Sequence, residues 1–263
     1  MGSVGESGRT TGKHSLLKKL LNREVAVMPH LPYVTKEYTI VDLCAGDGSP
    51  SGSSNESSPE IISGYYKSLN KLGIKANMVF IEKDLNTYER LLAKGCPATH
   101  INCNSREIKS FPISVGEKSV CFIHADPNHI EDWPISRELL INSPSFTTML
   151  ITLGCNVGGL KRLPREARDK WFERMDDVLE WLPKRHDALL IALSGDKAQW
   201  AYMIIGPRVW HDKGHYKKEA KAAFKDCWEH GLKMVSLKED NKEFYKMRDK
   251  LFLTVREAQN GEQ

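Results

Sequence analysis

The chain has 263 residues, of which 40% are hydrophobic and 27% are charged. This composition is typical of a single soluble globular domain and excludes a fibrous protein. The formal net charge of +4 is compatible with a polyanionic partner but does not require one. No apolar segment approaches the roughly 20 residues of a membrane span, and the six cysteines form no Cys-x-x-Cys pair. We therefore expect reduced thiols, no metal, no membrane contact and a cytoplasmic location.

The N-terminal region divides into two parts. Residues 1–12 are mainly Gly, Ser and Thr, which predicts a disordered N terminus. Residues 13–30 are predicted to form a helical extension, because leucines recur with helical spacing before Pro29 ends the pattern. Residues 31–263 contain no linker and no internal repeat, so we predict one domain.

Strand-like and helix-like segments alternate along this domain. The predicted strands are Tyr38–Cys44, Met78–Glu82, Ala98–Cys103, Val120–Ala125, Thr147–Leu153, Asp187–Leu193 and Trp200–Ile205, with a closing antiparallel pair at Lys233–Leu237 and Leu251–Glu257. The predicted helices are Ser58–Gly73, Asp84–Gly95, Pro164–Leu182 and Lys213–His230. This alternation predicts an α/β fold with one doubly wound sheet and helices on both faces. Ligands of such sheets bind beyond the carboxyl ends of the strands, so the candidate site residues follow each strand.

The first strand leads into the glycine-rich turn Cys44-Ala45-Gly46-Asp47-Gly48. Its spacing differs from that of a phosphate-binding P-loop, and no lysine follows it. A dinucleotide fingerprint needs a third glycine that opens directly into a helix, whereas Ser51 stands there and the next helix begins only at Ser58. Asp42 and Asp47 disfavour a pyrophosphate and favour a cationic ligand. The alternative is a tight turn without a ligand.

The second and third strands end in polar residues. Glu82, followed by Lys83, can accept hydrogen bonds from both hydroxyls of a ribose, whereas Asp84 is expected to cap the next helix. Asn102-Cys103-Asn104 follows the third strand, where it could bind the edge of an adenine or form a simple polar turn.

The fourth strand is followed by Asp126-Pro127-Asn128-His129, which we predict as the catalytic loop. A polar pair here can orient an amine or a hydroxyl, and His129 can take up its proton. The alternative is a proline turn in which Asp126 is a cap.

Taken in order, Asp42–Gly48, Glu82 and Asp126–His129 resemble the motifs of class I S-adenosylmethionine (SAM)-dependent methyltransferases, and the resemblance covers Tyr38–Glu257. It implies a Rossmann-like fold with a mostly parallel seven-stranded sheet and an antiparallel C-terminal strand. It also implies SAM as cofactor, with S-adenosyl-L-homocysteine (SAH) as product. The residues implied to bind the cofactor are Asp42, Cys44, Ala45, Gly46, Asp47, Gly48, Glu82, Lys83, Asn102, Cys103 and Asn104.

The Asp126 loop resembles the Asp/Asn-Pro-Pro-Tyr/Phe loop of amino-methylating enzymes, with Asn128 and His129 in place of the second proline and the aromatic residue. This implies in-line methyl transfer to an amine or a hydroxyl. A cytosine-C5 methyltransferase needs a Pro-Cys pair after this strand, but Cys121 lies inside the strand.

A more distant resemblance is to the three-Cys-motif partner (TcmP) proteins, a bacterial and phage-associated group of the same fold. It is carried by Gly12-Lys13-His14, Ser57-Ser58-Pro59-Glu60 and Phe80–Asp84, while Asp126–His129 replaces that group's Asp-Pro-Phe-Gly. It implies a bacterial or phage-like source, and a protein partner subunit is also considered.

Two basic segments bear on the substrate. Asn156, Lys161 and Arg162 follow the fifth strand in a glycine-rich loop, which predicts either an anion-binding corner for a substrate phosphate or a solvated connector. Lys213, Lys217, Lys221 and Lys225 form a stripe that is typical of a solvated helix face and also of a nucleic-acid surface.

Nucleic acid, DNA or RNA, is therefore the first predicted substrate and partner. The alternatives are a small molecule or protein as substrate, or a non-catalytic SAM-fold subunit of a larger complex. A nicotinamide dehydrogenase is a more remote option. The serine-rich insertion at residues 49–58 is either a lid over the cofactor or a bulge.

Overall fold

The computed structural model describes residues 10–50, 56–127, 133, 135–153, 165–193, 200–225 and 231–253. The strands in these segments are β1 (Glu37–Asp42), β2 (Lys75–Glu82), β3 (Thr99–Asn102), β4 (Val120–Ala125), β5 (Phe146–Leu153), β6 (His186–Leu193), β7 (Trp200–Pro207) and β8 (Leu232–Ser236). The α-helices are α1 (Thr10–Val27), α2 (Ser58–Lys71), α3 (Leu85–Ala93), α4 (Arg137–Ile141), α5 (Arg165–Glu180), α6 (Arg208–Asp212), α7 (His215–Ala223) and α8 (Asn241–Leu253).

The strands form one sheet in the order β3-β2-β1-β4-β5-β7-β6-β8. The first five strands in that order pair in parallel. β7 pairs antiparallel with both β5 and β6, and β8 pairs antiparallel with β6. A dinucleotide-binding Rossmann sheet has the order 3-2-1-4-5-6, so the insertion of antiparallel β7 distinguishes this sheet. The predicted Rossmann-like class I methyltransferase fold is confirmed, with β8 as an eighth strand beyond the predicted seven.

Each face of the sheet carries its own hydrophobic core, because side chains of a strand alternate between faces. Ile40, Phe80 and Phe122 pack in one core with the leucines of α1 and with α2 and α7. Val41 and Ile123 pack in the other core with α5 and α8. This three-layer arrangement is what brings the carboxyl ends of β1, β2 and β4 to one edge.

Two predicted segments differ from the observed helices at their ends. α1 begins at Thr10, so Thr10–Gly12 are helical and not part of a disordered N terminus. The helix predicted over Lys213–His230 begins later and is shorter where the chain is described: α7 starts at His215, because Gly214 before it adopts a left-handed conformation with φ of 65°, and ends at Ala223. Residues 226–230 lie outside the described segments.

The strand predicted at Leu251–Glu257 is wrong where the chain is described, since Leu251–Leu253 end α8. Asp240 starts that helix by accepting a hydrogen bond from the Glu243 N–H at 2.9 Å. Phe244 and Met247, three residues apart, are buried against the sheet, a helical and not a strand spacing. Across the described segments, no helix is both long and apolar enough to cross a membrane.

Candidate active site

The glycine turn after β1 is anchored to the strands on both sides. The Leu43 N–H donates to the His124 carbonyl at 2.9 Å, and the Ala45 N–H donates to the Ile81 carbonyl at 3.0 Å. Gly46 and Gly48 have φ of 64° and 71°, a left-handed conformation that disfavours any side chain. The chain thus turns sharply at the sheet edge and leaves its backbone accessible to a ligand.

Asp42 lies beneath this turn and supports it. Its Oδ1 accepts a hydrogen bond from the Cys44 N–H at 3.2 Å and lies 3.2 Å from Nδ1 of His124. The side chains of Asp42 and His124 have no exposed surface. Asp42 therefore orders the turn, and its predicted contact with a cofactor stays a prediction.

Asp47 is also less available than the sequence suggests. Its carboxylate accepts hydrogen bonds from the Ser49 N–H at 3.0 Å and from Nε of Arg90 at 3.3 Å. Partial burial acts to raise the pKa of Asp47, but the Ser49 N–H and the Arg90 charge outweigh it and lower the pKa overall. The negative charge of the turn is therefore partly neutralised by a cation from α3.

Glu82 lies at the end of β2, where a residue that binds the ribose hydroxyls was predicted. Its Oε2 accepts the Gly46 N–H at 3.0 Å, and its Oε1 accepts the Asp84 N–H at 2.9 Å. A carboxylate has about four acceptor positions, so two remain for a ligand diol. Nδ2 of Asn102 donates to the carbonyls of Glu82 and Lys83 at 2.8 and 3.2 Å, which fixes the end of β2.

The remaining predicted adenine contacts are only partly free. The Oδ1 of Asn104 accepts the Arg106 N–H at 3.1 Å and starts a 3-10 turn at Ser105–Glu107. Cys103 and Asn104 are half-buried, and Asn102 is exposed but holds the β2 end. The polar-turn interpretation therefore accounts for Asn104, while Cys103 packs against the core on the α5 and α8 face of the sheet.

Asp126 follows β4 and forms an ion pair with Lys13 of α1. The Asp126 side chain is 21% exposed and that of Lys13 is 16% exposed, so the pair is accessible from solvent yet shielded. Burial acts to raise the pKa of Asp126, but Lys13 and His124 together lower it below its usual value. The ion pair therefore keeps this carboxylate ionised at neutral pH.

His14 lies beside the same ion pair and is buried, with 7% exposure. Burial, followed by the charges of Lys13 and His124, lowers the pKa of His14 to about 4. The imidazole is therefore neutral at pH 7. Sequence reasoning missed both Lys13 and His14 as site residues, although Gly12-Lys13-His14 was noted as part of a family resemblance.

Cys44 completes the cluster at the turn. Burial, with the nearby carboxylates of Asp42, Asp126 and Glu82, raises the pKa of its thiol well above the usual range. A neutral thiol is a poor nucleophile, so Cys44 is suited to packing and not to covalent catalysis. In the described part of the chain, no group of three or more His, Cys, Asp or Glu side chains is arranged to hold a metal ion.

The structure describes only part of the predicted catalytic and substrate residues. Pro127 follows Asp126 and is half-buried. The other predicted residues lie outside the described segments: Asn128 and His129 of the catalytic loop, and Asn156, Lys161 and Arg162 of the anion-binding corner. Their roles stay predictions.

Several solved structures are similar to this chain. Protein LPL1258 from Legionella pneumophila, of family DUF519, superposes with a TM-score of 0.52 at 11% sequence identity, covering 89% of this chain and 97% of that chain. Cofactor-bound Rv0187 from MTB superposes with a TM-score of 0.45 at 13% identity, covering 79% of this chain and 84% of that chain. The plantazolicin methyltransferase BpumL, in complex with a triazolic desmethylPZN analog and SAH, gives a TM-score of 0.44 at 12% identity, covering 76% and 86%.

No protein-family model matches this sequence, and no match was found among curated proteins. The match to LPL1258 covers nearly all of both chains and supports the architecture already read from the strand order. The chain has the Rossmann-like class I methyltransferase fold.

Proposed function

We propose that this protein is a SAM-dependent methyltransferase that transfers a methyl group in-line to an amine or a hydroxyl, with nucleic acid as the first candidate substrate. One observation carries the proposal. The glycine turn held by Glu82 and the accessible carboxylate of Asp126 converge at the carboxyl edge of adjacent strands β2, β1 and β4. This is the edge where ligands of open α/β sheets bind.

The residues present fit SAM. Gly46, where an added Cβ would meet no atom within 4 Å, allows close approach of the backbone to the methionine part, and Glu82 retains acceptor positions for the two ribose hydroxyls. Asp126 and Glu82 supply negative charge for a cationic ligand that carries no phosphate. When bound, SAM supplies a methyl group on a positively charged sulfur, and the protein supplies alignment and charge placement.

The Asp126 cluster would orient the acceptor and manage its proton. The carboxylate, held ionised by Lys13, accepts a hydrogen bond from the acceptor N–H or O–H. The proton that the acceptor loses can pass to the Asp126 carboxylate, which is partly exposed, and from there to solvent. His129, predicted from sequence, is a second candidate base.

Calorimetric titration with SAM, SAH and NADH tests the cofactor assignment. We expect SAM and SAH to bind, NADH not to bind, and Glu82→Ala to weaken SAM binding at least about tenfold, because a charge-assisted bidentate contact contributes roughly 1.5–3 kcal/mol. Asp126→Asn should still bind SAM. Absence of binding for both SAM and SAH would refute the proposal.

Transfer of tritiated methyl groups to pooled DNA, RNA, protein and small molecules then identifies the acceptor class. We expect label in nucleic acid, and Asp126→Asn should reduce it by about 100-fold or more, as expected for loss of a positioned acid–base group. Label confined to protein or small molecules would favour the alternative substrate. SAM binding without transfer to any pool would favour the non-catalytic subunit.

A further inference from the structure

We propose that a basic ridge beside the candidate active site, exposed at its three lysines on and after α7, docks the phosphodiester backbone of a nucleic acid, as the substrate of the methyltransferase proposed above. The ridge consists of Lys19 and Arg23 of α1, Lys218 and Lys221 of α7, and Lys225 two residues after α7. The substrate assignment rests on the proposed function, whereas the docking surface rests on the geometry and charge of these helices.

The two helices of the ridge run antiparallel. A Cβ built on Gly12 would lie 3.1 Å from Cε1 of Phe224, so the start of α1 lies against the end of α7. At the other end, Nη2 of Arg23 lies 2.7 Å from Nδ1 of His215. Between these two contacts, Lys19 is roughly level with Lys218, since both helices rise about 1.5 Å per residue.

This orientation directs one end of the ridge at the active site. Lys225 adjoins Phe224, which packs on Gly12, and Gly12 immediately precedes Lys13 of the ion pair with Asp126. A chain of phosphates lying along the ridge would therefore arrive beside the carboxylate that is proposed to orient the methyl acceptor. The ridge and the site are connected through the first turn of α1.

The charges on the ridge lack acidic partners. Lys218 and Lys221 are exposed and three residues apart, so they share one face of α7, and the exposed Lys225 follows just after the end of that helix. None of the three forms an ion pair with a described acidic residue, whereas Lys217 on the flank of α7 pairs with Glu239. Lysines four residues apart repel each other and cost a helix about 0.2–0.5 kcal/mol per pair.

The acidic residues of the two helices do little to offset this repulsion. Glu24 of α1 is buried, and burial raises its pKa to about 8, so it carries little charge at pH 7. Glu219 is the single acidic residue of α7. A bound polyanion would remove the repulsion between the lysines, because phosphates would replace the missing counter-charges.

The size and chemistry of the ridge suit a nucleic-acid backbone. From Lys218 to its end at Ala223, α7 rises about 7.5 Å, and Lys225 lies two residues further on, so the three lysines span roughly three nucleotides of one strand. Lysine ammonium groups act as point charges that bind phosphates without reading bases. Base selection would then belong to the active site and not to the ridge.

The test is fluorescence anisotropy with labelled single-stranded RNA and DNA between about 50 and 200 mM salt. The variant is Lys218→Ala/Lys221→Ala/Lys225→Ala. The matched control is Lys71→Ala/Lys109→Ala/Lys118→Ala, which removes the same charge from three exposed lysines elsewhere on the surface. SAM binding to every protein is measured in parallel.

We expect the ridge variant to bind nucleic acid at least about tenfold more weakly at low salt, with a salt slope reduced by about two to three, since each lost phosphate contact lowers the slope by about 0.7–0.9. The control should lose less affinity, and SAM binding should not change in either variant. Equal losses in the two variants, or a wild-type protein that binds SAM but no nucleic acid, would overturn the ridge and leave the methyltransferase proposal intact. A ridge-dependent affinity without SAM binding would support the surface and refute the proposed function.

Discussion

At the scale of single residues, the ion pair between Lys13 and Asp126 determines what the candidate site can do. The Lys13 charge helps to hold the Asp126 pKa below its usual value despite burial. A carboxylate that stays ionised accepts a hydrogen bond from an acceptor group over a wide pH range. Removing the lysine charge should therefore alter the pH dependence of activity, and not only its magnitude.

Lys13→Gln is expected to lower kcat/KM by about 10-fold to 1000-fold while SAM affinity stays unchanged. Because the Asp126 pKa rises when the cation is lost, the acidic limb of the pH–rate profile should move to higher pH. Lys13→Arg should retain the limb. The control is Lys18→Gln, which removes a lysine charge whose partner, Glu56, is about half exposed. If the acidic limb of the pH–rate profile does not move in Lys13→Gln, Lys13 does not set the Asp126 pKa.

The contact between Glu82 and the glycine turn was predictable, because a strand end and a glycine spacing are visible in short stretches of sequence. Glu82 and Gly46 could be assigned from the end of a strand and a glycine spacing, and the structure joins them at 3.0 Å. Lys13 and Asp126 are 113 residues apart in sequence, and no local pattern indicates that a helix start reaches the end of β4. The burial of Asp42 beneath the turn was not predictable, because the sequence does not show that the turn closes over it.

At the scale of elements, Ser57 connects α2 to the glycine turn, although the helix begins about ten residues after that turn. Its hydroxyl accepts the Glu60 N–H at 3.3 Å, and Glu60 accepts the Ser57 N–H at 2.7 Å, which together form a capping box. The same hydroxyl donates to the Gly48 carbonyl at 2.9 Å. The helix is thereby fastened to the glycine turn even though residues 49–56 intervene, and the cap lies one residue before the predicted Ser58.

Ser57→Ala should destabilise the protein by about 1 kcal/mol, the usual loss for an N-cap, as measured by urea denaturation. It should also weaken SAM binding, because the Gly48 carbonyl loses its tie to the helix. Ser58→Ala is the matched control, since Ser58 is the first residue of the helix and the cap is Ser57. Unchanged SAM affinity in Ser57→Ala would show that the tie does not hold the turn.

Helix starts were predicted correctly where a single capping residue marks them, and the type of element was predicted wrongly where only tertiary packing distinguishes a helix from a strand. Asp84 was predicted as a cap, and it accepts the Thr87 N–H at 2.8 Å at the start of α3. Leu251–Leu253 is an apolar run compatible with a strand, yet it continues α8, whose Phe244 is fully buried against the sheet. A short apolar run does not distinguish a strand from a helix. The packing of Phe244 against the sheet does.

At the scale of the whole molecule, buried titratable groups shape the dependence of stability on pH. Burial lowers the pKa values of His14, His186 and His211 to about 4. Nearby cations add to this effect at His14 and His186, whereas the Asp187 carboxylate opposes it at His211. The unfolded chain binds protons to these histidines near pH 6.5. Their contribution to stability is therefore full above pH 6.5 and is lost as the pH falls towards 4.

Glu24 acts in the opposite direction. Its pKa is raised to about 8 by burial, so the unfolded state releases this proton at lower pH and stability falls as the pH rises towards 8. Thermal or urea unfolding should show a maximum near neutral pH, with a loss of up to about 4 kcal/mol per pH unit just below 6 from the three histidines, partly offset by Glu24.

Glu24→Gln tests the alkaline limb, because the amide oxygen can still accept the Tyr38 hydroxyl, now bonded to Glu24 at 2.7 Å. We expect the stability gained by the variant to grow by about 1–2 kcal/mol between pH 6.5 and 8, since the buried group no longer ionises. Glu219→Gln, which changes a half-buried carboxylate on α7, serves as the control. A constant difference across this range would contradict an elevated Glu24 pKa.

The position of α1 also has a consequence for how the chain folds during synthesis. Its leucines Leu16, Leu17, Leu20 and Leu21 are at most 1% exposed in the finished protein, yet the α7 contact between Arg23 and His215 spans 192 residues. At about 5–20 residues per second, the ribosome needs roughly 10–40 s to supply that partner. Until then the four leucines of α1 stay exposed on the nascent chain, where they can bind chaperones or misassemble. The Lys13–Asp126 pair can likewise form only after β4 has been synthesised.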